Sequence, residues 1–119
     1  MDKPFEGFPV YKKALDLAKD INVLCGRVRN RDFYHLKDQI RRASSSIVLN
    51  IAEGAGKWTK KDKMNYYRIA RASAFESMGA LDLFKAFMLG NKEGIESLKR
   101  ELVEIAGDLQ ALIFSIEKR

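Results

Sequence analysis

The chain has 119 residues, 46% of them hydrophobic, and 22 Lys and Arg against 16 Asp and Glu give it a net charge of +6. That length fits one domain with an ordinary core, and the single cysteine excludes an internal disulfide. The apolar runs fall short of a membrane span, and the opening MDKPFEGFP is charged and broken by proline, so neither a transmembrane helix nor a signal peptide is expected and the cytoplasm is the expected location.

Both prolines, Pro4 and Pro9, fall before the first periodic segment, so none interrupts a helix later on. Val10, Ala14, Leu17, Ala18, Ile21, Leu24, Cys25 and Val28 recur at helical spacing and predict helix one over roughly 10–28. The connection RNRDFYHL follows, with Asp32 as the expected N-cap of helix two. Leu36, Ile40, Ala43, Ile47, Ile51 and Gly54 mark one face of that helix, and Gly54 and Gly56 are expected to form its C-terminal turn.

Thr59 and Asp62 resemble a capping box and predict the start of helix three, which runs to about Gly90. Met64, Tyr67, Ile69, Ala74, Phe75, Met78, Leu81, Phe84, Phe87 and Met88 cover much of its circumference, which predicts a helix buried between several neighbours. After the link GNKEG, Ile95, Leu98, Leu102, Ile105, Leu109, Leu112 and Ile116 alternate at three and four residues in helix four. No strand alternation appears. The expected fold is all-α, an antiparallel up-down-up-down four-helix bundle in a single domain over residues 1–119, with main helices of about 30 Å.

Catalytic chemistry finds little support. The one histidine, His35, stands at a predicted helix start, and no Glu-x-x-His pair of the di-iron kind occurs. Cys25 belongs to an apolar pattern and reads as a buried thiol. GAGKWT looks like a phosphate loop but lacks the required glycine spacing and follows a helix. Glu53 and Glu76 are better read as partners of nearby cations than as an acid–base pair. No enzyme activity, metal or cofactor is expected.

The basic residues carry more. Lys57, Lys60, Lys61 and Lys63 flank Trp58 and Tyr66 at the junction of helices two and three. An up-down bundle brings that junction to the same end as Lys3, Lys12 and Lys13 and the C-terminal Lys118 and Arg119. Cations beside aromatics suit phosphate contact and base stacking. Arg41, Arg68 and Arg71 form a second candidate set, while Arg27, Arg29 and Arg31 lie at the other end.

Helix two also carries polar residues beside its apolar face: Gln39, Ser46 and Glu53 align, with Arg42 and Asn50 on either side. They predict a polar seam against a neighbouring helix. The antiparallel pairing of helices two and three places Glu76 near Gln39 and Arg42, which predicts an inter-helix salt bridge. Val48, Leu49, Ala52 and Ala55 make a second apolar patch, expected to meet another copy of the chain.

QIRRASSSIVLNIAEGAGK, followed by YYRIARASAFES, resembles the signature of the bacterial four-helix bundle proteins of ribosomal-RNA intervening sequences, the S23 ribosomal protein family. The pattern is carried by Gln39, Ile40, Arg41, Arg42, Ala43, Ser46, Ile47, Asn50, Ile51, Ala52, Glu53 and Gly54, then Ile69, Ala70, Ser73 and Glu76. The opening FEGFPVYKKALDLA fits too, with Tyr11 where Trp is frequent, and Ala72 stands where Gly commonly precedes the serine. The resemblance implies a four-helix bundle assembling as a homopentamer. The family is similar to the accessory variability determinant of diversity-generating retroelements, a basic pentameric bundle that associates with a reverse transcriptase and nucleic acid. Five copies at +6 each would carry about +30, a field suited to RNA or DNA. The expected function is therefore a non-enzymatic oligomeric module that binds nucleic acid or a nucleoprotein partner. The alternative is a protein-interaction scaffold such as a reverse-transcriptase accessory subunit.

Overall fold

A computed structural model of the chain describes Phe5, residues 8–29 and residues 31–119. Four helices follow one another: α1 (Pro9–Arg27), α2 (Tyr34–Ala55), α3 (Lys60–Ala86) and α4 (Lys92–Glu117), and the described residues contain no strand. Each helix packs against its neighbours in sequence, and α1 closes the bundle against α4. The body measures 47 × 26 × 20 Å, which matches helices of about 30 to 40 Å lying side by side.

The core consists of the periodic residues. Ala14, Leu17 and Ile21 of α1, Ile40, Ile47 and Ile51 of α2, Ala74, Leu81 and Phe84 of α3, and Leu102, Ile105 and Leu109 of α4 are buried together. Helices form here because branched and aromatic side chains gain about 1.5–3 kcal/mol each by leaving water, which offsets the ordering of the chain. A second cluster closes one end, where Tyr67 meets Ile113 and Ile116 with Phe8, Met64 and Leu112 against them. It places the start of α1, the α2–α3 turn and the end of α4 together.

Helix boundaries follow local chemistry. Pro9 starts α1, where its missing N–H costs nothing. Asp32 does not cap α2; it lies in a 3-10 turn, Arg31–Phe33, that runs straight into the helix, and Phe33 occupies the cap position. Thr59 does cap α3, its Oγ1 accepting the Asp62 N–H at 3.1 Å. Asn91 caps α4 by accepting from the Gly94 N–H at 3.0 Å.

α3 stops at Ala86, short of the expected Gly90. The Met88 N–H reaches the Lys85 carbonyl and the Leu89 N–H reaches the Phe84 carbonyl, a Schellman ending with Met88 in the left-handed region at φ 60°. Leu89 and Phe84, both buried, supply the apolar contact of that ending. Gly90 also has positive φ, and a Cβ there would stand 2.8 Å from Leu24.

α3 is not sheathed on all sides, contrary to the expectation. It has two helical neighbours, α2 and α4. Ile69, Phe75, Leu83, Phe87 and Met88 are left facing outward.

α2 and α3 approach closely at the end of α2. Gly54 is buried in the last turn of α2, and a Cβ there would lie 2.7 Å from the Tyr67 ring, itself fully buried. Gly56, by contrast, sits at φ −83° and would meet nothing nearer than 3.6 Å. The two glycines therefore do different jobs, although the sequence assigns both to a turn. Gly54→Ala is expected to destabilise the fold by about 1–3 kcal/mol. Gly56→Ala should leave stability unchanged or raise it by up to about 1 kcal/mol. Thermal unfolding of the two variants side by side checks this.

Candidate nucleic-acid interface

The turn between α2 and α3 is fixed from both sides. The Gly56 N–H reaches the Ala52 and Glu53 carbonyls and the Lys57 N–H reaches the Gly54 carbonyl, each at 3.2 Å. On the far side stands the Thr59 cap, with the Lys63 N–H on the Thr59 carbonyl at 3.0 Å. Trp58 projects from this pinned turn with 97% of its surface exposed. Lys57 lies over the Tyr66 ring at 5.0 Å, a cation–π contact that holds the ammonium at the surface. Lys60 and Lys61 occupy the exposed first turn of α3.

Lys63 has another task. Its Nζ donates to the Ala55 carbonyl at 3.0 Å and to the Gly54 carbonyl at 3.5 Å, so it satisfies the orphan end of α2. Lys13 is likewise committed, bound to Asp108 at 2.8 Å and to Glu104. The Asp108 hydrogen bond first, and the Glu104 bond second, raise its pKa. Lys118 and Arg119 stand at the same end, near enough for Arg119 to act on the Tyr67 hydroxyl, whose pKa burial pushes up and Arg119 pulls down. Lys3 falls outside the described residues. Lys57, Lys60 and Lys61, close to an open indole in the chain, and Lys118 and Arg119 at the same end thus keep their charge unpaired among the described residues.

The second set of arginines is not gathered here. Arg41, in the half of α2 remote from the turn, donates from Nε to Asn22 Oδ1 at 3.1 Å. Arg68 is exposed on α3. Arg71 lies 4.9 Å over Phe75, and its buried Nε has no hydrogen-bond partner.

The polar seam is partly as expected. Ser73 donates to Ser46 across the helices at 2.9 Å, and Asn50 donates to the Ser46 hydroxyl at 2.9 Å and to its carbonyl at 2.8 Å. The expected salt bridge is absent: among the described residues Glu76 is exposed with no ion pair, and Arg42 is answered on its own helix by Asp38 at 3.0 Å. The reason is rotational. α3 turns Ser73 toward α2, which leaves Glu76 facing water, and Gln39 and Glu53 of α2 are exposed as well. Sequence reasoning missed Ser44 and Ser77, both buried, which bond back to the Arg41 and Ser73 carbonyls of their own helices. Their signal was small size at helical spacing, which also permits close approach.

The second apolar patch is divided. Val48 and Ala55 are buried within the chain itself, because α2 is gripped by α1 on one side and α3 on the other and so buries a broad arc. Leu49, 67% exposed, and half-buried Ala52 remain outward. Cys25 is buried, and burial raises its thiol pKa above the ordinary value. Among the described residues, no group of three or more His, Cys, Asp or Glu is placed to hold a metal, and no helix is long and apolar enough to cross a membrane.

These features define a small, basic, all-helical protein with a group of open cations at the end that carries the α2–α3 turn. The chain belongs to the 23S rRNA-intervening sequence protein family, whose model matches residues 6–111. It is similar to a solved structure of a protein of unknown function from the S23 ribosomal protein family of Bacteroides thetaiotaomicron VPI-5482. The two share 28% identity and a TM-score of 0.82, over 87% of this chain and 97% of that one. A comparison with curated proteins gives no match.

The seam between α1 and α4 has the opposite charge. Asp16 and Asp20 of α1 face Glu101 and Glu104 of α4, and burial first, then Asp20, Glu104 and Asp16, raise the pKa of Glu101. The folded chain therefore holds that proton more tightly than the unfolded chain, and stability falls as pH rises through and above the ordinary value of 4.5. Glu101→Gln is expected to raise Tm at about pH 7 and to change it little at about pH 3. The gain is small because water screens an exposed carboxylate, and thermal melts across pH measure it.

Proposed function

We propose that the chain is a non-enzymatic cytoplasmic module that binds RNA or DNA, alone or within a nucleoprotein, through the end formed by the α2–α3 turn and the C-terminus. The observation that supports this most is the group of unpaired cations close to Trp58 in the chain. Phosphates would meet ammonium groups that have no carboxylate to leave, and counterion release would drive association. The family's association with a 23S rRNA-intervening sequence is consistent with a nucleic-acid setting. The chain would act as an oligomer, a pentamer on the family resemblance, multiplying the field of each copy. Exposed Leu49, Ile69 and Phe75 favour such contacts. The same side chains support a second reading, a scaffold for a protein partner such as a reverse transcriptase.

Affinity for RNA or DNA is expected to fall linearly with salt on a log–log scale. The triple variant Lys57→Glu, Lys60→Glu and Lys61→Glu should weaken binding at least about tenfold and flatten that slope. Lys63 is left intact because it closes α2. Unchanged affinity in the triple variant would place the interface elsewhere. Sedimentation equilibrium should return a multiple of 13.6 kDa; the mass of one chain would contradict the oligomer.

A further inference from the structure

We propose that the nucleic acid taken at this end is single-stranded, and that Trp58 stacks on an unpaired base. This rests on the reading above and adds the class of ligand.

Trp58 is 97% exposed, so both faces of the indole are open to solvent. Large aromatics seldom stand so free, because each could remove some 150–250 Å² from water by packing. Nothing about the local chain forces the exposure on a floppy loop. The backbone around Trp58 is tied by the Gly56 and Lys57 amides on one side and by the Thr59 cap on the other. Lys63 ties the same turn to the end of α2. The ring is thus presented from a fixed backbone, so only its own side-chain torsions remain to be ordered when a flat partner arrives.

Tyr66, the neighbouring aromatic, is half-buried, and Lys57 lies over its ring. Of these two aromatics Trp58 therefore offers the free stacking face, with Lys57, Lys60 and Lys61 close by in the chain to hold flanking phosphates. In a duplex the base faces are already stacked on one another, and only phosphates and groove edges are accessible. Lysines alone would serve a duplex, and the open indole would gain nothing from it. An unpaired base gains by stacking whatever its identity, so the site is tolerant of sequence.

The chain contains one tryptophan, so indole emission, excited where tyrosine does not absorb, reports on this position alone. Unstructured oligouridylate or oligothymidylate should quench it at saturation. A blunt-ended duplex of equal charge, or heparin, should bind with little quenching. Trp58→Ala should lower affinity for the single strand about tenfold, leave duplex affinity and the salt slope unchanged, and Trp58→Phe should recover part of the loss. Saturation by single strands without quenching, or equal losses for single strand and duplex in Trp58→Ala, would overturn stacking. Emission already blue-shifted in the free protein would overturn it too, because another protein surface then covers the ring. The two readings separate cleanly. If the triple lysine variant loses binding while Trp58→Ala does not, only stacking fails. If the triple variant binds normally, the site itself fails and stacking with it.

Discussion

The near contact of α2 and α3 is the constraint on which the rest depends. Where Gly54 meets the Tyr67 ring, that ring lies directly against the backbone of α2 with no room for a side chain at position 54. Ser46 and Ser73 bridge the same interface further along. Small residues on one helix admit a large ring from the other, and the serine hydroxyls are satisfied without separating the backbones. That approach fixes the angle at which α2 ends and α3 begins, and so fixes the turn that carries Lys57 and Trp58. The turn is held in place by the packing below it.

The opposite seam is built differently. α1 and α4 confront one another with Asp16, Asp20, Glu101 and Glu104, and Lys13 answers only at one end. A groove of about 340 Å³ opens between them beside Val23, Leu24 and Leu98. Like charges facing across a seam oppose close packing, whereas α2 and α3 meet through neutral serines and a glycine. The net charge of +6 is therefore unevenly placed. Acidic groups line one seam, several basic groups are spent on capping or ion pairs, and the turn that carries the open indole keeps Lys57, Lys60 and Lys61 unpaired among the described residues.

Much of this was legible in the sequence. Residues such as Leu17, Ile47 and Leu102 carry the 3.6-residue period, so all four helices could be read, as could the Thr59 cap, whose hydroxyl and spacing have a direct mechanism. The basic turn was legible as well, although Lys63 was grouped with its neighbours because its role depends on where the α2 carbonyls end. Other features depend on partners distant in sequence. Gly54 looks like a helix terminator until Tyr67 is placed opposite it. Val48 and Ala55 look like a second face until α1 and α3 are seen to grip α2 from two sides. Met88 in the left-handed position carries no sequence signal at all, because its conformation is imposed by the Phe84–Leu89 contact. Glu76 was misplaced because residue numbering fixes height along a helix more readily than rotation about it.

If nucleic acid engages the end of the bundle formed by the α2–α3 turn and the C-terminus, backbone amide NMR signals should report it during titration with a short unstructured oligonucleotide. Saturable shifts are then expected only in the turn, the first turns of α3, Lys118 and Arg119, with the α1–α4 seam unmoved. Shifts centred instead on Arg27, Arg29 and Arg41, or spread evenly over the surface, would contradict it.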